Sequence, residues 1–258
     1  MFCFQCQETA GCKGCTRVGV CGKTSQTAGL QDLLIYVTKG LSEVTTKLRK
    51  AGIEVTADVN SLVTENLFIT ITNANFDDAK ISQRIVETIN CKEALRAKLP
   101  TDTTLSEAAQ YKETDESTFD KKAAEVGVLA TENEDIRSLR EMIVYGLKGM
   151  AAYNKHANAL GKRSEEIDAF LQETLAKTLD DSLQMEDLFA LTLETGKYGV
   201  DVMAMLDAAN TGAYGNPQIT KVNIGVRKNP GILVSGHDLR DLEMLLQHFF
   251  SALVNDSA

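Results

Sequence analysis

The first 21 residues, MFCFQCQETAGCKGCTRVGVC, hold five of the chain's six cysteines: Cys3, Cys6, Cys12, Cys15 and Cys21. Beyond Phe2, Phe4, Val18 and Val20, residues 1–23 offer few large apolar side chains. Such a stretch cannot order itself around a core of its own. Its order is expected to come from what the sulfurs bind. Two quartets are open on spacing. Cys3, Cys6, Cys12 and Cys15 give C-x2-C-x5-C-x2-C and leave Cys21 over. Cys3, Cys6, Cys15 and Cys21 give C-x2-C-x8-C-x5-C and leave Cys12 over. The first imitates a zinc site, but zinc ribbons usually carry roughly fifteen or more residues between knuckles. The second wraps one compact loop, as cubane iron–sulfur clusters require. Gly11, Gly14, Gly19 and Gly22 let the backbone aim N–H groups at sulfur, and Lys13, Arg17 and Lys23 offset cluster charge. Spacing favours iron–sulfur over zinc, with disulfides third.

Compartment bears on that order. The N-terminus has neither the positive region nor the apolar stretch of a signal peptide. The apolar runs LLIYV and GILV are too short to span a bilayer. A cytoplasmic, reducing setting is expected, where clustered thiols bind metal more often than they pair. The net charge of −9 and the lack of a basic patch speak against nucleic acid and anionic membranes as partners.

After the loop the pattern is helical. Thr24 or Ser25 opens a helix whose stripe is Leu30, Leu33, Leu34, Val37, Leu41, Val44 and Leu48, and Gly52 closes it. Further helices are predicted around 58–73, 76–97, 136–160, 164–179 and 185–210. Residues 101–135 are acidic and polar, and read as a surface connector with one short helix. LLIYVTKG (33–40) matches MIVYGLKG (142–149), and ENLF (65–68) matches EDLF (186–189), which suggests a duplicated bundle. After 220, VNIGV and GILVSG read as short strands, followed by a helix from His237. The expected class is therefore mainly α. A cysteine loop (1–23) precedes a first helical bundle (24–100), a polar connector (101–135), a second bundle (136–220) and the incomplete start of a Rossmann-like α/β domain (221–258).

MFCFQCQETA…GC…GVCGKT together with NPGILVSGHDLRDLEMLL resembles the hybrid-cluster proteins, also called prismane proteins or hydroxylamine reductases. The likeness covers about residues 1–247. It implies a helical first domain followed by α/β domains, a [4Fe–4S] cluster near the N-terminus, and a second, mixed oxo–sulfido hybrid cluster. It implies an oxidoreductase that takes electrons from an external donor and reduces a small nitrogenous substrate, hydroxylamine to ammonia or nitric oxide. By position, Cys3, Cys6, Cys15 and Cys21 are the [4Fe–4S] ligands, Cys12 is the spare thiol, and His237 is an iron ligand of the hybrid cluster. The family's other hybrid-cluster ligands have no counterpart here. The expectation is an N-terminal portion that carries the relay cluster and is inactive alone. The alternative is a non-enzymatic helical module holding structural zinc or a single relay cluster.

Cys91 reads as a small core residue and His156 as a packing histidine. His248 carries no assignment. No dinucleotide, Walker, nucleophile-elbow or H-E-x-x-H motif is present.

Overall fold

Thr24 starts the first helix as its spacing requires: its hydroxyl accepts the Thr27 N–H at 3.0 Å, satisfying one of the unpaired donors of the first turn. This computed structural model describes residues 1–72, 74–226 and 228–255. Nine α-helices lie among them: α1 (Ser25–Lys50), α2 (Ala57–Ile71), α3 (Asp78–Arg96), α4 (Glu107–Gln110), α5 (Phe119–Val126), α6 (Glu134–Ala159), α7 (Glu165–Lys177), α8 (Met185–Tyr214) and α9 (Leu239–Asn255). The fold is mainly α, as expected. Gly52 takes a left-handed φ of 73° just past α1, the conformation that ends a helix and that a side chain resists.

The whole predicted stripe of α1 is buried. Its two halves serve different cores. Leu30, Leu33, Leu34 and Val37 join Ile81, Ile85 and Ile89 of α3 and Phe119 and Ala123 of α5. Leu41, Val44 and Leu48 join a larger cluster built from α2, α6, α7 and α8. That larger cluster runs without a break through both predicted bundles. Each fully buried Leu or Ile contributes about 1.5–3 kcal/mol as an upper estimate, so α1 is the element on which both cores depend.

Residues 101–135 do more than connect. Ala108, Ala109, Phe119 and Ala123 are buried, and α4 and α5 both lie on α1. The segment is polar because it is thin cover: a few apolar side chains face α1 and the rest face water.

The duplication holds at one level and fails at another. The offset that takes Tyr36 to Tyr145 also takes Ser25 to Glu134 and Lys50 to Ala159, so α1 and α6 share both ends. ENLF, however, lies in α2 and EDLF in α8, the second helix of one set and the third of the other. That second match is a shared amphipathic pattern, not equivalent position.

The predicted strands at 222–226 and 231–236 do not form among the described residues, and the α/β start is not seen. Residue 227 and residues 256–258 of that segment lie outside the described residues. Ile224 and Leu233 are 96% and 95% exposed. A lone strand has no neighbour for its N–H and C=O groups. The helix after them does form, and Tyr214 ties α8 to it by donating to Glu243 Oε2 at 2.8 Å. No helix among the described residues is long and apolar enough to cross a membrane.

Candidate iron–sulfur site

Cys3 and Cys15 face each other in an isolated antiparallel bridge. Cys3 N–H donates to Cys15 O at 3.0 Å, and Cys15 N–H to Cys3 O at 2.8 Å. Two turns close the loop around this bridge. In one, Thr9 N–H donates to Cys6 O at 3.2 Å. In the other, Gly22 N–H donates to Gly19 O at 2.8 Å. Thr9 Oγ1 also donates to Cys3 O at 2.9 Å, so the segment just after Cys6 folds back over the bridge.

The Cys15 side chain is buried, with polar groups of the loop around its sulfur. Ala10 N–H donates to it at 3.4 Å, and Thr9 Oγ1 lies 3.7 Å away. The Ala10 N–H, the Val20 N–H and the Thr9 hydroxyl hold this thiol below its ordinary pKa, with Lys23 adding to them and burial opposing. Donors aimed at sulfur stabilise thiolate, the form that binds metal. Lys23 is buried and places its ammonium 3.8 Å from Cys3 Sγ while donating to Gln31 Oε1 at 2.7 Å. Of the three cations named from sequence, Lys23 is the one placed against a sulfur.

Cys3 and Cys6 are half-buried, while Cys12 and Cys21 are exposed. Cys12 takes a left-handed φ of 56° in the short turn Ala10–Cys12. Among the described residues, no three His, Cys, Asp or Glu side chains converge closely enough to hold a single metal ion. The structure therefore brings Cys3 and Cys15 together in the backbone and leaves Cys6 and Cys21 on the loop's turns. The chemistry of the donor set fits a thiolate-ligated iron–sulfur group: soft sulfur, inward N–H donors and a buried ammonium.

Behind the loop lies a charge cluster that the sequence reading did not single out. Gln5, between Cys3 and Cys6, donates to Thr70 O on α2 at 2.8 Å. It accepts from buried Lys148 Nζ on α6 at 3.1 Å. Asp32 of α1 and Glu141 of α6 line the same cavity, which also touches Cys3. Burial pushes Asp32 up to about 7, with Lys148 pulling it back and Glu141 adding to the rise. Burial pushes Lys148 down to about 8 against the pull of Glu141 and Asp32. Burial also lowers Lys39, its match in α1. The available signal was register: Lys148 falls four residues after Val144, on the stripe that Ile143, Leu147 and Ala151 bury.

His237 lies elsewhere. It is exposed on the irregular segment before α9, its ring 6.0 Å from that of His156. His156 packs edge-on to Phe68 at 5.7 Å, and Asp238 Oδ2 lies 3.2 Å from its Nδ1. No strand end presents His237, contrary to expectation. Cys91 packs partly buried against the larger core, and burial raises its thiol pKa.

With this geometry in place, comparison with known proteins gives one outcome. The model of the Prismane/CO dehydrogenase family matches residues 1–258. The chain belongs to the Prismane/CO dehydrogenase family. It is 62% identical over 247 residues to a hydroxylamine reductase of Desulfovibrio desulfuricans, covering 96% of this chain and 45% of that protein. It is 60% identical over 253 residues to one of Clostridium perfringens, covering 96% and 46%. A hydroxylamine reductase of Acetivibrio thermocellus is 56% identical over 247 residues, with shares of 96% and 45%. This prismane-family chain thus spans about half the length of the curated relatives it matches. The relatives' name is that of an oxidoreductase, and proteins of the prismane family carry iron–sulfur clusters.

Proposed function

We propose that this chain is the electron-entry portion of a hydroxylamine reductase-type oxidoreductase, and that Cys3, Cys6, Cys15 and Cys21 hold a [4Fe–4S] cluster. The observation that carries the reading is the buried Cys15 sulfur, which accepts from the Ala10 N–H and has its thiol held down by the Val20 N–H as well, with the Lys23 ammonium beside its bridge partner Cys3. When bound, such a cluster supplies one-electron transfer at low potential. The chain's own residues do the rest. The Cys3–Cys15 bridge fixes two ligands in register, and the Thr9 and Gly22 turns carry Cys6 and Cys21 to the same loop. Lys23 compensates thiolate charge. Gln5 fastens the loop to α2 and α6.

Electrons would come from an external carrier and serve reduction of hydroxylamine to ammonia, or of nitric oxide, the activity that the relatives' name supports for the first substrate. His237 would contribute one ligand to a hybrid iron–sulfur–oxygen cluster. Among the described residues no three ligating side chains gather around it, so catalysis by this chain alone is not expected. The single-cluster relay remains the chain's own share of the chemistry.

Anaerobic purification followed by iron, zinc and acid-labile sulfide analysis tests the reading. Four irons with four sulfides per chain is the expected result, and zinc without sulfide overturns it. A hydroxylamine assay with a chemical reductant should show no sustained turnover, and robust turnover would overturn the partial-site reading.

A further inference from the structure

The cavity behind the cysteine loop is small, about 30 Å³, the space of roughly one water molecule. Cys3, Gln5, Lys23, Asp32, Glu141 and Lys148 all line it. Three structural layers meet there: the loop, α1 and α6. Lys148 reaches across from α6 to the side chain between Cys3 and Cys6. Lys23 approaches Cys3 Sγ. Facing the two ammonium groups are two carboxylates, Asp32 on α1 and Glu141 on α6. Lys23 and Lys148 are themselves buried, so their charges are screened less than surface charges and act on their neighbours.

We propose that Lys148 sets the reduction potential of the cluster held by the cysteine loop: its buried ammonium behind Gln5 favours the reduced state, and Glu141 trims that effect. The inference rests on the proposed [4Fe–4S] assignment. One electron from an external reductant adds one negative charge to the loop, and no bond need form or break. A fixed positive charge nearby stabilises that added charge, and a fixed negative charge opposes it. Gln5 makes the arrangement rigid, because its carbonyl oxygen accepts from Lys148 while its amide donates to Thr70 O. The ammonium therefore cannot swing to solvent without leaving a polar group unpaired. Lys148 lies outside the cysteine motif altogether, more than a hundred residues along the chain.

The test is a redox titration at pH 7.0 monitored by electron paramagnetic resonance, on anaerobically purified wild type, Lys148→Met, Lys148→Arg and Glu141→Gln. Iron and sulfide are counted for each. Lys148→Met should lower the one-electron reduction equilibrium constant about tenfold, ~59 mV, with iron and sulfide unchanged. Lys148→Arg should stay within about twofold of wild type, and Glu141→Gln should move the constant upward. A loaded Lys148→Met with an unmoved potential overturns the inference. Should Lys148→Met fail to load, Glu141→Gln decides, and an unmoved potential there overturns it equally. Wild type without iron and sulfide instead overturns the cluster assignment, and this inference with it.

Discussion

Gly40 of α1 and Ala108 of α4 meet backbone to backbone. A methyl group at Gly40 would overlap the Ala108 carbonyl and lie 2.9 Å from Ala109 N. Gly149, its match in α6, has nothing within 4 Å of the same position. Gly40→Ala should therefore cost about 1–3 kcal/mol, as overpacking does. Gly149→Ala should gain up to about 1 kcal/mol from helix propensity. Thermal denaturation followed by circular dichroism separates the two, and equal effects would contradict the packing.

Lys92 is fully buried and donates to Ala108 O at 3.2 Å, Ala109 O at 3.0 Å and Tyr111 O, capping the end of α4. Burial lowers its pKa from 10.5 to about 8, partly opposed by Glu93. The unfolded chain then binds more protons between those values, so this group makes stability rise with pH across that window. Lys92→Met should unfold at lower denaturant at pH 7, by about 1–3 kcal/mol for carbonyls left unpaired. It should also flatten the pH dependence above 8. Urea titrations at pH 7 and pH 9.5 check both.

Asp32 has the opposite sign. Its pKa is raised from 3.8 to about 7, so the folded chain binds the extra proton and its contribution falls as pH climbs through that range. Lys148, Lys23 and the N-terminal ammonium counter the rise, and Glu141 adds to it. The stability of Asp32→Asn relative to wild type should improve between pH 4.5 and pH 7.5. A relative stability that stays flat over that interval would mean Asp32 is ionised throughout in the fold.

Cys12→Ser should leave iron and sulfide content and visible absorbance unchanged, because Cys12 is exposed and its sulfur has no donor among those described. Cys15→Ser should lose most of the iron, since it removes the buried, donor-ringed thiolate. Loss in both variants would favour the other quartet.

Much of the helical fold was legible because its signals are local. Thr24, the Leu30–Leu48 stripe and Gly52 fix α1 from period and caps alone. The strands at 222–226 and 231–236 are not seen for the converse reason: a strand depends on a partner that no stretch of its own sequence supplies. The connector at 101–135 was legible in polarity but not in placement, because Phe119 and Ala108 gain meaning only against Gly40 and α1. At the site, the cysteine spacing named the loop and left two quartets. Lys148, Asp32 and Glu141 were hidden, since their importance comes from the meeting of α1 and α6.

Arg49, near the end of α1, donates to Gln172 of α7 at 2.8 Å, a partner 123 residues further along. The same helix completes the larger core only with α6, α7 and α8. At a synthesis rate of about 5–20 residues per second, roughly 6–25 s separate the making of α1 from that of the helix which receives it. Through that interval Leu41, Val44 and Leu48 have α2 but not their later neighbours. A nascent chain stalled before residue 165 should accordingly engage holdase chaperones more than one stalled well beyond residue 214. The cysteine loop, made before α1, would wait at least as long for the α6 lysine that anchors it.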